Sequence, residues 1–156
     1  MRFLAVLVAF GLLAGCGTPY QPHGFGGGYK EQQITSDTFL VQVRGNGYTS
    51  AQTVHTYAMR RAAEIAQIEG YTYFAVLEER QSAKVGQITT PGQYHATTSY
   101  IGGTAYTSGF YTPGSTTSYE KPRTQMTIKL LAKAPVGEPG IYEAAQVLQY
   151  TANVLD

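Results

Sequence analysis

A single cysteine, Cys16, in a chain of 156 residues rules out an internal disulfide, so the fold has to be held by packing alone. The packing material is lean. Charged residues make up 13%, while Gly and Tyr number 18 and 13, so much of the surface must gain its solubility from hydroxyl and amide groups. The length suits one domain with a real core and not two.

Arg2 precedes an apolar run from Phe3 to Leu13, and Ala14-Gly15 then lead directly into Cys16. A basic start, an apolar centre and small residues at the break have the build of a secretory signal peptide. The run is too short for a transmembrane anchor, which needs about 20 residues. Leu13-Ala14-Gly15-Cys16 resembles the lipobox of bacterial lipoproteins, in which the cysteine thiol is acylated, palmitate among its chains, and becomes residue one of the mature protein. The resemblance implies cleavage between Gly15 and Cys16, removal of residues 1–15, and attachment to the membrane through several acyl chains, since one chain holds only marginally. Gly17 stands where an Asp, in such lipoproteins, favours the inner membrane. The expected location is therefore the outer membrane, on its periplasmic face. Arg2 is the only charge in residues 1–15, so the mature chain loses one of 11 basic residues and balances its 10 acidic ones. That neutrality argues against a nucleic-acid partner.

Residues 16–37, rich in Gly and Pro from Gly17 to Tyr29, read as the lipidated cysteine and a flexible tether. Fully extended, its stretch from Gly17 to Ser36 would reach at most about 70 Å. Its Gly26-Gly27-Gly28 triplet is no phosphate loop, because neither flank supplies the strand and helix that such a loop needs. Residues 38–156 read as a single small α+β domain. Phe39, Val41 and Val43 alternate, predicting a half-buried strand. Thr49 and Gln52 have capping-box spacing, and Val54, Ala58, Ala62, Ile65 and Ile68 recur at helical intervals up to Gly70, a C-terminal stop. Arg60 and Glu64 fall on the opposite, solvated side of that helix. Tyr71 to Glu78 predicts a second, more deeply buried strand, completing a strand-helix-strand crossover. Met126, Ile128 and Leu130 mark a third strand between Arg123 and Lys133. After Pro135 to Gly140, the spacing of Ile141, Ala145, Leu148, Ala152 and Leu155 predicts a last helix. The expected order is β-α-β, a long insertion, then β-α, with a three-stranded or slightly larger sheet packed on helices.

The insertion, residues 81–121, is mostly Thr, Ser, Gly and Tyr and far exceeds an ordinary hairpin loop. It reads as a flexible loop or as a hairpin arm continuing two strands. Tyr94, Tyr100, Tyr106, Tyr111 and Tyr119 are its candidate partner contacts, since tyrosine joins a flat apolar face to a hydroxyl at small entropic cost.

Catalytic machinery is hard to find. His23, His55 and His95 show no ligand spacing, so no metal site or cofactor is expected, and Glu78 and Glu79 are strand neighbours that point to opposite faces. An enzyme would have to gather Arg44, His55 and glutamates through the fold. Gly47-Tyr48-Thr49-Ser50, Tyr57-Ala58-Met59-Arg60-Arg61-Ala62-Ala63-Glu64 and Gly70-Tyr71-Thr72-Tyr73-Phe74 resemble a family of small, largely uncharacterised proteobacterial envelope lipoproteins. That resemblance implies an envelope lipoprotein with this strand and helix order, and it carries no catalytic residue. The expected function is a non-enzymatic, lipid-anchored binding or structural component of the envelope, joined to the membrane through Cys16 and to an envelope protein or peptidoglycan. An envelope-stress sensor that uses its tether as a ruler, or a glycan-binding lipoprotein, is the alternative; a periplasmic enzyme ranks below both.

Overall fold

The structure is a computed structural model that describes residues 16–135 and 138–152; the expected signal peptide and Leu155 lie outside the described residues. The elements are β1 (Gly28–Gln33), β2 (Thr38–Arg44), α1 (Ala51–Ile68), β3 (Tyr73–Thr90), β4 (Gln93–Ile101), β5 (Thr104–Thr112), β6 (Ser115–Leu131), β7 (Ile141–Glu143) and α2 (Ala144–Thr151). They divide into two compact units, Val85–Glu120 and the remainder.

The expected three-stranded, or slightly larger, sheet packed on helices is not what forms. Strand takes 53% of the described residues against 20% helix, and the larger unit holds a curled, antiparallel five-stranded sheet in the order β1-β2-β6-β3-β7. The two added strands lie at its edges, where backbone pairing can recruit residues with little apolar content. β1 pairs with β2 from Gly28↔Arg44 to Gln33↔Phe39. Its Lys30, Gln32 and Gln33 face solvent, which suits an edge strand that must not attract a neighbour. The last helix was expected from Ile141, but Ile141 pairs with Ala75 in β7, and α2 turns Ala144 inward while Ala145 stays exposed.

One face of this sheet is the core. Phe39, Val41 and Val43 of β2 stand opposite Ile128, Met126 and Thr124 of β6, and all six are buried. The predicted helix covers them with Val54, Ala58, Ala62, Ile65 and Ala66. Ile68, placed on that stripe by spacing, is exposed instead. Small alanines let α1 approach the strands closely. Ser50 caps the helix by accepting the Thr53 N–H at 3.0 Å, and Gly70, at φ +79°, closes it where the chain reverses. β3 is less buried than β2, not more: Phe74 is its one fully buried side chain. The crossover also differs, because β6 lies between β2 and β3.

The stretch expected as a tether folds onto this body. Thr18 is buried at 3% exposure. Its N–H donates to Thr49 Oγ1 at 2.8 Å, its hydroxyl donates to the Gly26 carbonyl at 2.9 Å, and it accepts the Asn46 N–H at 2.8 Å. Tyr57 donates its hydroxyl to the Thr18 carbonyl at 3.1 Å. The tyrosines that looked like tether residues form a cluster: the Tyr20 ring lies 4.8 Å from Tyr29 and 5.2 Å from Tyr57. Gly27 is required here. At φ +104° it lies so close to the Arg44 carbonyl that any Cβ would collide with it.

Arg60 and Glu64, expected as a solvated pair, belong to a half-buried network. Arg61 bridges Glu31 of β1 at 2.8 Å and Glu64 at 2.9 Å, Arg60 meets Glu64 at 3.1 Å, and Tyr20 donates its hydroxyl to Glu64 at 2.6 Å. The two guanidiniums lie over Tyr20 and Tyr29. Burial, then the Glu64 carboxylate, pushes the Tyr20 hydroxyl far above its ordinary pKa, so it stays a donor. Burial opposes the charge of Arg61, but its bonds to Glu31 and Glu64 outweigh that.

Thr18→Val should keep the shape of the side chain while leaving the Asn46 N–H and the Gly26 carbonyl without partners. The expected cost is about 1–3 kcal/mol, read as a lower urea midpoint with unchanged slope.

Candidate functional site: a basic sheet face beside Cys16

The sheet face opposite the core is set by the same register that builds the core. With Val43↔Thr124 pointing inward, the next pair along, Arg44↔Arg123, points outward, as does Gln42↔Gln125. Arg44 and Arg123 are therefore direct cross-strand neighbours of like charge. Such a pairing is destabilising by itself. Neither guanidinium has an ion-pair or hydrogen-bond partner among the described residues.

No carboxylate lines the three hollows that touch this pair. A shallow hollow beside this pair is lined by His23, Phe25, Arg44, Asn46, Lys121 and Arg123, and a neighbouring one by His23, Lys30, Gln42 and Arg44. A third continues across the face from Arg44 and Arg123 to Arg80, whose own guanidinium is held by Glu78 at 2.7 Å. In a chain whose charges nearly cancel, this is a concentrated positive patch. Phe25, at the tip of the turn in which Gly24 and Gly27 bond each other at 2.9 and 3.2 Å, is fully exposed at 112%.

Cys16 joins this face through one residue. Asn46, which lines the first hollow, donates Nδ2–H to the Cys16 carbonyl at 2.8 Å and is held in turn by the Tyr48 N–H and the Thr49 hydroxyl, both at 2.9 Å. The Cys16 side chain is exposed. Only Gly17 separates it from buried Thr18.

The other expected residues are dispersed. His55 Nδ1 lies 2.8 Å from Glu79 Oε1, so two of the groups an enzyme would need do meet. They lie on an exposed flank, line none of the hollows described above, and are on other elements than Arg44. Burial opposes the Glu79 charge, but hydrogen bonds from Gln81 and His55 outweigh it and hold the carboxyl below the ordinary Glu range. Among the described residues no three His, Cys, Asp or Glu side chains converge as a metal site, and no helix is long and apolar enough to cross a membrane.

Of the two readings the sequence leaves open here, a flexible loop or a hairpin arm, the Val85–Glu120 unit follows the second and forms paired strands. Thr, Tyr, Ile and Val favour extended backbone, and β4 pairs with β5 from Gln93↔Thr112 to Ile101↔Thr104 across the Gly102-Gly103 turn. Between Lys84 and Glu120 it holds no charged residue, His95 aside. Direct partners share a face, which sorts the tyrosines. Tyr94, Tyr111 and Tyr100 lie on one side, and Tyr106 lies on the other with Ile101 and with Phe110, which stacks on His95 at 5.0 Å. These four tyrosines are exposed and Tyr119 is half-buried. The five candidates do not make a single platform.

Arg123 escaped sequence reasoning because nothing local marks it. Only the β2–β6 register places it against Arg44, the one residue of the pair that did attract notice. No protein-family model, curated protein or solved structure matches the chain.

Two stability measurements probe this surface. Arg123→Gln should raise stability by about 0.2–1 kcal/mol through relief of the like-charge pair, and the gain should shrink as added salt screens the repulsion. Glu79→Gln should lower stability at neutral pH. Because the folded state holds the Glu79 carboxyl low, its contribution is present above the ordinary Glu pKa of about 4.3 and is lost as pH falls through the folded value. Urea unfolding of both chains against pH should show the two curves converging in acid.

Proposed function

We propose that the protein is a non-enzymatic lipoprotein of the cell envelope, anchored through acylated Cys16 in the outer membrane on its periplasmic side, which uses its Tyr-rich hairpin to hold an envelope partner. What carries the anchoring half is the run Leu13-Ala14-Gly15-Cys16. The exposed Cys16 side chain, two residues before the buried Thr18, is consistent with it. The binding half rests on the Val85–Glu120 unit. A two-stranded ribbon that exposes Tyr94, Tyr100, Tyr106, Phe110 and Tyr111 gains little from folding by itself and much from a partner that covers it.

The partner we favour is a protein. Peptidoglycan is the second reading, supported by Tyr94 and Tyr111, exposed direct cross-strand partners whose aromatic faces suit a sugar ring. The tether-as-ruler version of a stress sensor has less support, since Thr18 is buried, Tyr20 and Tyr29 pack on the core and Gly28–Gln33 pairs with β2.

Labelled palmitate should enter the wild-type chain and not Cys16→Ser; equal labelling would refute the anchor. Replacing residues 85–120 by a short turn should leave the helical circular dichroism of α1 and α2 intact and abolish co-purification of the partner. Retention of every partner would sink the ribbon's role. Loss of sedimentation with cell-wall sacculi after Tyr94→Ala/Tyr111→Ala would favour the glycan reading.

A further inference from the structure

We propose that the basic sheet face around Arg44 and Arg123 is the surface on which the protein lies against its own membrane, with the two guanidiniums on anionic lipid phosphates and Phe25 entering the headgroup layer. The inference rests on the lipid-anchor reading and adds to it an orientation and a lipid chemistry.

Three observations converge on it. The acyl-bearing residue has almost no slack. Asn46 holds the Cys16 carbonyl, and Thr18 is fixed to Asn46, Gly26 and Thr49, so chains embedded at Cys16 bring this corner of the molecule down to the lipid surface. The corner is also the basic one. Asn46 lines the same hollow as Arg44, Arg123, Lys121, His23 and Phe25, with no carboxylate among the lining residues.

The like-charge pair is the third. Arg44 and Arg123 oppose each other across β2 and β6 without a partner among the described residues, an arrangement that isolated protein would do better without. Anionic phosphates resolve the conflict: each guanidinium binds phosphate oxygens bidentately, and neighbouring headgroups supply one phosphate apiece. Phe25 fits the same ligand. A lone, fully exposed aromatic at the tip of a tight turn beside a cationic patch has one apolar side and one wet side, as does the interface of a bilayer. Peptidoglycan would not need the apolar tip, and a free phosphate would need neither Phe25 nor the proximity of Cys16.

The chain contains no tryptophan, so Phe25→Trp introduces a single fluorescent reporter at an exposed position that no core contact depends on. The full protein carrying this change, purified from envelopes, is reconstituted into vesicles of phosphatidylethanolamine with phosphatidylglycerol, or of phosphatidylcholine, with brominated acyl chains as quenchers. Flotation reads the anchor and quenching reads the face. The expected result is flotation with both compositions, with a blue-shifted and quenched reporter on the anionic vesicles. Most of that quenching should be lost on phosphatidylcholine and in Arg44→Gln/Arg123→Gln. That double variant is expected to be more stable than the parent, so its loss of quenching cannot be a loss of fold. A chain that floats with an unquenched reporter on anionic vesicles overturns the orientation and leaves the anchor standing. Quenching unchanged by Arg44→Gln/Arg123→Gln, or equal on both lipids, also overturns it. A chain that does not float overturns the anchor and the orientation together.

Discussion

The Thr18 hydroxyl holds together two parts of the chain that sequence alone would keep apart. It donates to Gly26 and accepts from Asn46, while the Thr18 amide is taken by Thr49. Those bonds fix the Gly24–Gly27 turn over the end of β2, which sets where β1 begins. β1 in turn brings Glu31 to Arg61, and Tyr20 and Tyr29 under the guanidiniums of Arg60 and Arg61. With no disulfide to close the N-terminal segment, buried hydrogen bonds and aromatic contacts take that role. The edge of β2 is covered as a result, and the residue that carries the proposed lipid is held next to the sheet.

The register of β2 and β6 then produces the core and the patch together. A pleated strand that sends Val41 and Val43 inward must send Gln42 and Arg44 outward, and the same holds for Met126, Thr124, Gln125 and Arg123. Opposite-charge pairing would have been available with a single change at either arginine. The chain instead carries two like charges that cost stability, next to an exposed aromatic and beside its proposed lipid attachment. A feature that weakens the free protein and suits an anionic surface fits the proposed orientation on a membrane.

How much of this was legible depended on whether the signal was local. The α1 stripe of Val54, Ala58, Ala62 and Ile65 and the β2 alternation of Phe39, Val41 and Val43 are patterns a short window contains, and both stand in the structure. β1 leaves little local signal, because Tyr29 is its one large apolar residue and its ring partner, Tyr20, lies in another segment. Gly-rich sequence suggested freedom, whereas Gly27 is needed because the Arg44 carbonyl leaves no room for a side chain. The lack of aliphatics in the Tyr- and Thr-rich insertion leaves loop and hairpin arm both open, and the preference of those residue types for extended pairing decides for the arm. Of the candidate sites, Arg44 was noticed and Arg123 was not, since a cross-strand register 79 residues long in sequence separation leaves no trace at either end.

The segment after Cys16 belongs to the folded body, so that the proposed lipid on Cys16 would be held rigidly and not on a leash. Amide hydrogen exchange of Thr18 and Tyr29, whose N–H groups donate to Thr49 Oγ1 and to the Gln21 carbonyl, tests it most directly. The expected exchange is as slow as that of core amides such as those of α1, limited by opening of the whole unit. Exchange at the rate of an unstructured peptide, with α1 still protected, would contradict it.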